Sequence, residues 1–395
     1  MDSRRRFLAA AALAAVLPRG ARGDGPAEAV AQPRVAEIQR PPADVPRGPA
    51  GTTPPSLLAR PDGSSIDSWD AWLERRAELR AAWLGFLGPW EVGPVDDRFR
   101  VIADTPGKRC RRRLVAYATE PDEEVEAWLL EPAGPVPAGG RPGAVVFHST
   151  VARSIDEVAS EEAEAPAAIG AWLVDAGFTV LCPRCWLWNG DAAHALDTNG
   201  AVARLAARHP GARGMRKLLH DGLRAVDVLS RIDGVDAARI VAAGHSLGAK
   251  EALYLAAFDE RVQGAVASEG GVAIPFSNWD APWYLGADAR AEGFERDHAE
   301  LVAMALPRGL LVLGGEAGPG AADGDRSWPT IERALEAGRL LEPRPWTGLF
   351  NHRGGHAIPP EARDLLVDWL RAASGRGSVA EPDSPARRGR PADVP

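Results

Sequence analysis

The sequence predicts an α/β protein in which a mainly parallel sheet carries helices on both faces. Short apolar runs alternate with helical stretches, as is typical of parallel strands covered by helices; the runs are 143–148, 178–182, 239–243, 264–267, 309–313 and 346–350. Two further runs, 111–119 and 124–130, flank a Glu-Pro-Asp-Glu turn and predict an antiparallel hairpin. Tryptophan and leucine recur at helical spacing over residues 64–85, which predicts an N-terminal helix packed on this domain.

Both ends of the 395-residue chain differ in composition from its middle. Arg4, Arg5 and Arg6, followed by Phe-Leu and a short apolar stretch, predict a twin-arginine export signal over residues 1–23, and hence a periplasmic or extracellular protein. Residues 24–55 and 374–395 are rich in Pro, Ala and Gly, which predicts a disordered linker and a disordered tail. One folded domain is expected over residues 56–373.

Charge and cysteine content limit the classes of partner. A net charge of −8 gives no long-range attraction for nucleic acid or anionic membranes. Three cysteines are too few for a disulfide framework. Cys182 and Cys185 have redox-motif spacing but follow a strand rather than open a helix, so we interpret them as part of a loop that export would allow to oxidise. No second cysteine pair completes a zinc site, and no metal or cofactor is expected.

The segment Gly244-His245-Ser246-Leu247-Gly248 carries the clearest chemical signal. It lies between a strand ending at residue 243 and a helical stretch over 249–258, the context of a nucleophile elbow in the α/β-hydrolase fold. The two glycines permit a strained turn that holds the serine hydroxyl clear of the sheet. Ser246 is therefore predicted to be a nucleophile, and His245 to point to the other side of the turn and pack there.

A serine nucleophile needs a base and an acid. His356 lies in a Gly-rich loop between the last strand and the last helix and is the predicted base, with His352 as its rival nearer the strand end. Two carboxylates compete as the acid. Asp323 follows the strand where this fold commonly places it, whereas Glu269 is enclosed between a buried strand and two glycines, and Glu269 is favoured.

Four motifs within residues 235–356 resemble bacterial glucuronoyl esterases and the acetyl xylan esterase or dienelactone-hydrolase-like proteins near them. They are Gly-His-Ser-Leu-Gly-Ala-Lys at 244–250, Asp-Glu-Arg at 259–261, Ser-Glu-Gly-Gly at 268–271, and Asp-His-Ala-Glu-Leu at 297–301 leading to Ala-Leu-Pro-Arg at 305–308. The resemblance implies that Glu269 is the acid and that Lys250 contacts a sugar. Glucuronoyl esterases carry Arg after the serine, where this chain has Leu247; its N–H is still available to an oxyanion hole, partnered by an N–H near Ser149 or Thr150.

Lysine and tryptophan usage adds candidate substrate contacts. Lys250 is one of three lysines among 46 basic residues, and its charge opposes the helix dipole, so either a compact ammonium is needed there or its presence is accidental. Trp279 and Trp283 lie in an insertion over 272–292, and Trp186 follows a strand end. Aromatic faces above a parallel sheet suit stacking on sugar or aryl rings, although tryptophan is also a good core residue.

The leading hypothesis is an exported serine carboxylic-ester hydrolase that forms an acyl-enzyme on a small-molecule or polysaccharide ester, of acetyl or glucuronoyl type. One alternative is a serine peptidase of the prolyl-oligopeptidase type, which would normally carry a large added domain. The other is a catalytically silent binding protein on a hydrolase scaffold, which would be expected to have lost the serine or the histidine. The sequence indicates no particular oligomeric state.

Overall fold

The computed structural model describes residues 35–45, 55–60, 62–107, 109–162, 165–188 and 195–375. The predicted export signal over residues 1–23 lies outside the described residues, as do most of the predicted linker and tail.

A nine-stranded sheet forms the centre of the molecule, in the order β1-β2-β3-β5-β4-β6-β7-β8-β9. The strands are β1 (Phe99–Pro106), β2 (Cys110–Glu120), β3 (Glu123–Pro132), β4 (Arg141–Phe147), β5 (Thr179–Pro183), β6 (Val235–His245), β7 (Val262–Ser268), β8 (Gly309–Gly314) and β9 (Thr347–Asn351). Strands β4 to β9 pair in parallel, while β1, β2, β3 and β5 pair antiparallel with one another in that order. The predicted parallel sheet and hairpin are confirmed.

Helices cover both faces of this sheet. They are α1 (Trp69–Leu87), α2 (Ile155–Val158), α3 (Ile169–Asp175), α4 (Thr198–Arg208), α5 (Gly214–Ser230), α6 (Leu247–Phe258), α7 (His298–Met304), α8 (Trp328–Gly338) and α9 (Pro360–Gly375). One core joins the sheet to α1 and to α4 through α8, and the other joins it to α2, α3 and α9. The parallel strands are apolar throughout because both of their faces are buried.

The N-terminal helix α1 is fixed at its start and along its buried face. Ser68 caps it by accepting a hydrogen bond from the Ala71 N–H at 3.3 Å. Trp72 and Trp83 are fully buried, and the Trp83 indole N–H donates to Glu300 of α7 at 2.7 Å. The helix therefore packs on the domain as predicted.

Strand β1 was not anticipated from the sequence. Its residues are exposed along nearly the whole strand, so its composition lacks the apolar run that identifies a buried strand. It pairs only with β2 at the edge of the sheet, where the backbone ladder rather than side-chain burial defines the strand. Its position at the far edge also keeps it away from the elbow strand β6.

The described part of the predicted linker is ordered against the domain, so the expectation of disorder is wrong for residues 35–45. Ile38 is fully buried, and the Gln39 side-chain amide donates to the carbonyls of Pro345 and Thr347 at 2.7 and 2.9 Å. The predicted tail also begins too early, because α9 extends to Gly375 and Ser374 is buried.

All three cysteines are free and buried. Cys182 belongs to the core on one face of the sheet and Cys185 to the core on the other face, so the two thiols point away from each other. The expectation of a loop is wrong for Cys182, which lies in β5, and the two thiols are not bonded to each other. Among the described residues, we find no helix with the length and apolarity needed to cross a membrane.

Candidate active site

The site is built on the turn between β6 and α6. Ser246 has φ 57° and ψ −113°, a left-handed conformation that a serine adopts only under constraint. Its N–H donates to the Ser268 carbonyl at 2.8 Å, which ties the turn to β7. A Cβ at Gly248 would collide with the Phe147 carbonyl, so glycine is required for α6 to begin against the end of β4. The geometry is that of a nucleophile elbow.

Two backbone segments meet beside Ser246. Leu247 is the first residue of α6, so its N–H has no acceptor within the helix. The close contact of Gly248 with Phe147 brings the segment that follows β4 next to this N–H. Within that segment the Ser149 N–H is already donated to Glu157 at 2.8 Å, which leaves Thr150 as the candidate second donor.

Glu269 lies directly after β7, buried and in a left-handed conformation with φ 56°. One of its carboxylate oxygens, Oε2, accepts hydrogen bonds from the N–H groups of Ala322 and Asp323 at 2.7 and 3.1 Å. The loop after β8 therefore fixes the carboxylate. Strain and a buried charge at one residue are typical of functional positions.

Two histidines from the loop after β9 face this carboxylate. His356 Nδ1 lies 3.9 Å from Glu269 Oε2, and His352 Nε2 lies 3.3 Å from Glu269 Oε1. The side chain of His352 is 1% exposed, whereas that of His356 is 29% exposed. The His356 ring also lies against the ring of His245, with centroids 4.7 Å apart, which places it beside the elbow.

Charge in this cluster follows from burial and from the partners of each group. Burial disfavours the ionised form of Glu269, but the His352 contact and the two backbone N–H groups outweigh burial and lower the pKa of Glu269. Burial and the nearby His356 lower the pKa of His245 to about 3, so His245 is neutral. His245 faces the Ser268 hydroxyl at 3.0 Å and packs in the turn, but its ring also lies against His356, so it packs beside the predicted base rather than away from it.

Asp323 has different surroundings. Its carboxylate accepts hydrogen bonds from the N–H groups of Gly271 and Val272, each at 2.8 Å, and from the Ser327 hydroxyl at 2.6 Å. Burial raises the pKa of Asp323, against these hydrogen bonds. No contact between Asp323 and either loop histidine is found in the described part of the chain.

Most of the predicted substrate contacts are buried. This corrects the expectation that Lys250 and the aromatic residues near it face a substrate. The Lys250 ammonium donates to the Gly270 carbonyl at 2.5 Å and lies 3.8 Å from the centre of the Trp279 ring. Trp279 is fully buried and donates its indole N–H to Gly271, and Trp186 is buried as well. Of the four predicted contacts, Trp283 alone is partly exposed.

Sequence reasoning missed the backbone donors of Glu269 and the role of Gly315. A Cβ at Gly315 would lie 2.6 Å from Glu269 Oε1, so glycine is required where this loop passes the carboxylate. The glycine-rich stretch 314–324 was the available signal in the sequence. Across the described ranges, no cluster of His, Cys or carboxylate side chains is arranged to hold a metal ion.

Residues 125–282 match the model of the dienelactone hydrolase family, a span that includes the elbow and Glu269. No curated protein matches the sequence. Similar solved structures include a glucuronoyl esterase from Solibacter usitatus, with a TM-score of 0.62 and 18% identity over 84% of this chain and 100% of that chain.

Two further similar structures share this architecture. A glucuronoyl esterase from Teredinibacter turnerae has a TM-score of 0.57 and 18% identity, and the match covers 88% of this chain and 99% of that chain. A candidate acetyl xylan esterase from Bacteroides fragilis has a TM-score of 0.54 and 15% identity, and the match covers 76% of this chain and 80% of that chain. The chain therefore has an α/β-hydrolase fold.

Proposed function

We propose that this α/β-hydrolase is a serine carboxylic-ester hydrolase that acts through an acyl-enzyme, with Ser246 as nucleophile, His356 as base and Glu269 as acid. The observation that carries the proposal is the strained Ser246 at the strand-to-helix turn, beside a histidine whose Nδ1 faces a buried carboxylate. A serine held in a conformation that glycine would adopt without strain is typical of a functional position.

The choice of His356 over His352 rests on what each ring nitrogen contacts. His352 Nδ1 accepts a hydrogen bond from the Gly354 N–H at 3.1 Å, and its Nε2 faces Glu269, so neither nitrogen is left for a substrate. His356 directs Nδ1 towards Glu269, which leaves Nε2 for the serine hydroxyl. The partial exposure of His356 also suits a group that must exchange a proton with a leaving alcohol.

The proposed reaction follows from these positions. The Ser246 hydroxyl attacks the ester carbonyl as His356 Nε2 takes its proton, and Glu269 stabilises the imidazolium through Nδ1–H. The N–H groups of Leu247 and Thr150 stabilise the oxyanion. His356 then gives its proton to the leaving alcohol. Water, activated by His356, attacks the acyl-enzyme carbonyl, and the acid product leaves as the Ser246 hydroxyl is regenerated. The 3.9 Å gap between His356 and Glu269 closes to hydrogen-bond distance when substrate is bound, as is common for catalytic pairs.

The proposed substrates are carbohydrate esters of acetyl or glucuronoyl type. The proposal is supported by the similar glucuronoyl esterase and acetyl xylan esterase structures, although at 15 to 18% identity they establish only the fold. The partly exposed Trp283 is the best remaining candidate for a sugar contact. Reaching such polymers requires export, and we propose that the twin-arginine segment over residues 1–23 provides it, giving a periplasmic or extracellular enzyme.

The proposal is tested with a fluorophosphonate probe and a panel of acetyl, feruloyl and methyl-glucuronoyl esters. The mature protein should be labelled on Ser246 and should hydrolyse at least one ester. Ser246→Ala should abolish labelling and lower kcat by on the order of 10⁶, because the nucleophile is lost. Ser230→Ala is a matched control, since Ser230 lies at the end of α5 and its hydroxyl donates to the Val226 carbonyl at 2.6 Å.

Two outcomes would contradict the proposal. Hydrolysis by Ser246→Ala within tenfold of wild type would exclude the acyl-enzyme. Labelling of Ser246 combined with cleavage of peptides and of no ester in the panel would favour the peptidase alternative.

A further inference from the structure

We infer that His352 is a positioning residue that holds the free oxygen of Glu269 and thereby sets the proton affinity of the His356–Glu269 pair. The inference rests on the proposed function and goes beyond it, because it gives the second loop histidine a task of its own. In this arrangement Glu269 serves two imidazoles, one at each carboxylate oxygen.

The tautomer of His352 is fixed by its surroundings. Because Nδ1 accepts a hydrogen bond from the Gly354 N–H, this nitrogen carries no proton in the neutral ring. The ring proton is then on Nε2, which faces Glu269 Oε1 at 3.3 Å. His352 is therefore oriented as a donor to the carboxylate, the opposite of the orientation that a general base needs.

Because both groups are buried, the loss of the contact between His352 and Glu269 would be unfavourable. Glu269 Oε1 and His352 Nε2 are both buried, and within the described residues neither makes a hydrogen bond to any other group. The 3.3 Å that separates them is within reach of a hydrogen bond. An unpaired carboxylate oxygen in a buried site is unfavourable, so the two groups stabilise each other.

Hydrogen bonds to the loop after β8 fix the position of the loop that carries His352. The His352 N–H donates to the Gly314 carbonyl at 2.8 Å, and the Ala317 N–H donates to the Gly354 carbonyl at 2.9 Å. Gly315 leaves room for the loop to pass close to Glu269 Oε1. Asn351 adds hydrogen bonds to Glu316 and Asp325 at 2.6 and 2.9 Å. The segments after β8 and β9 thus form one unit around the carboxylate.

The donor has a predictable effect on catalysis. The titratable groups around Glu269 are His245, His352, His356 and Asp323. A donor at Oε1 withdraws negative charge from the carboxylate, so it weakens the attraction of Glu269 for the imidazolium of His356. Without that donor the imidazolium is more stable, and His356 must be deprotonated at a higher pH before it can act as a base.

A pair of amide substitutions separates the two contacts of His352. His352→Gln places an amide N–H near the position of Nε2 and keeps the donor to Glu269, but loses the acceptor for Gly354. His352→Asn keeps the acceptor for Gly354 and ends short of Glu269. We expect His352→Asn to lower kcat by about tenfold to a hundredfold with KM nearly unchanged, because Glu269 is no longer held in line with His356 and this loss of orientation outweighs the stronger attraction for the imidazolium. The acid limb of its pH–kcat/KM profile should move to higher pH.

His352→Gln should recover most of kcat and keep the wild-type acid limb. The reverse pattern, with His352→Asn normal and His352→Gln impaired, would overturn the inference, because the residue would then act through the Gly354 contact. Equal loss in both variants with an unmoved acid limb would also overturn it, as expected of a purely structural residue.

Failure of the proposed function would look different, since wild type would then show neither fluorophosphonate labelling nor ester hydrolysis. Urea unfolding of each variant shows whether it is folded. If His352→Asn does not fold, His352→Gln alone still decides, because a shifted acid limb in that variant contradicts the inference.

Discussion

The loops after β7 and β8 each carry a buried carboxylate, Glu269 and Asp323, yet the two groups have opposite electrostatics. Glu269 faces two imidazoles and two backbone N–H groups, and its pKa is lowered. Asp323 accepts hydrogen bonds from two backbone N–H groups and a hydroxyl, and burial raises its pKa. Burial is common to both, so the partners determine the direction of each pKa shift and which carboxylate faces a base.

The two loops also depend on each other. The Asp323 N–H donates to Glu269 Oε2 at 3.1 Å, while Asp323 accepts from the N–H groups of Gly271 and Val272, which follow Glu269 in the chain. Asp323 therefore shapes the loop that presents Glu269. This arrangement assigns the acid to Glu269 and a supporting role to Asp323 in our proposal.

The largest expected difference between the two loops is in catalysis. Glu269→Gln should lower kcat by about 10⁴, because the amide neither orients His356 correctly nor stabilises the imidazolium. Asp323→Asn should stay within a few-fold, because it removes no contact to a histidine. The measurement is kcat for the best ester at the optimal pH, with His356→Ala as a reference for complete loss of the base.

Two other results would change the assignment. A severe Asp323→Asn beside a near-silent Glu269→Gln would make Asp323 the acid. Mild single variants with a severe double variant would mean that both carboxylates serve His356, since residues that share one function are not additive.

A second difference should appear in the pH dependence of stability. The pKa of Glu269 is lowered in the folded state, so Glu269 stabilises the fold above its unfolded pKa and this contribution is lost as pH falls through the folded pKa. The pKa of Asp323 is raised, so its contribution is present below its unfolded pKa and is lost as pH rises through the folded pKa.

The stability lost in the two isosteric amides should therefore depend on pH in opposite senses. Between about pH 3 and pH 7, the free energy of unfolding lost in Glu269→Gln should grow with pH, whereas that lost in Asp323→Asn should shrink. Urea unfolding across this range measures both. Parallel pH dependences would show that the two carboxylates share one electrostatic environment, contrary to the structure.

Much of this architecture could be predicted from local sequence signals. The apolar runs identified the parallel strands because a strand buried on both faces must be apolar throughout. The elbow was recognisable because Gly244 and Gly248 flank a serine between a strand and a helix. Edge strand β1 lacks such a signal, because its backbone pairing leaves its side chains exposed.

The site was harder to predict, because its contacts join residues distant in sequence. The sequence favoured Glu269 but kept Asp323 as an alternative, and their folded partners distinguish the two. It treated His352 as a rival of His356, since sequence spacing does not reveal which ring nitrogen meets Gly354 and which meets Glu269. The aromatic residues near 279 suggested a substrate surface, although Trp279 is buried against Lys250.

The smallest expected effect concerns Lys250, whose side chain contacts the loop after β7. Its ammonium contacts the Gly270 carbonyl, the Ser277 hydroxyl and the Trp279 ring. Burial lowers the pKa of Lys250 to about 7, from an ordinary value of 10.5. The unfolded chain then binds more protons than the folded protein between these two values, so the contribution of Lys250 to stability rises with pH over that interval.

Lys250→Met keeps an apolar stem against Trp279 but removes both the hydrogen bonds and the buried charge. We expect these effects nearly to cancel at about pH 6, with a change in unfolding free energy near or below about 1 kcal/mol. The loss relative to wild type should grow towards about pH 10, where the wild-type amine is neutral in the folded state. Lys217→Arg is the control, because the guanidinium keeps a positive charge among the carboxylates around Lys217. A loss in Lys250→Met that stays constant with pH would mean that the ammonium is hydrated, and would restore Lys250 as a candidate for contact with the substrate.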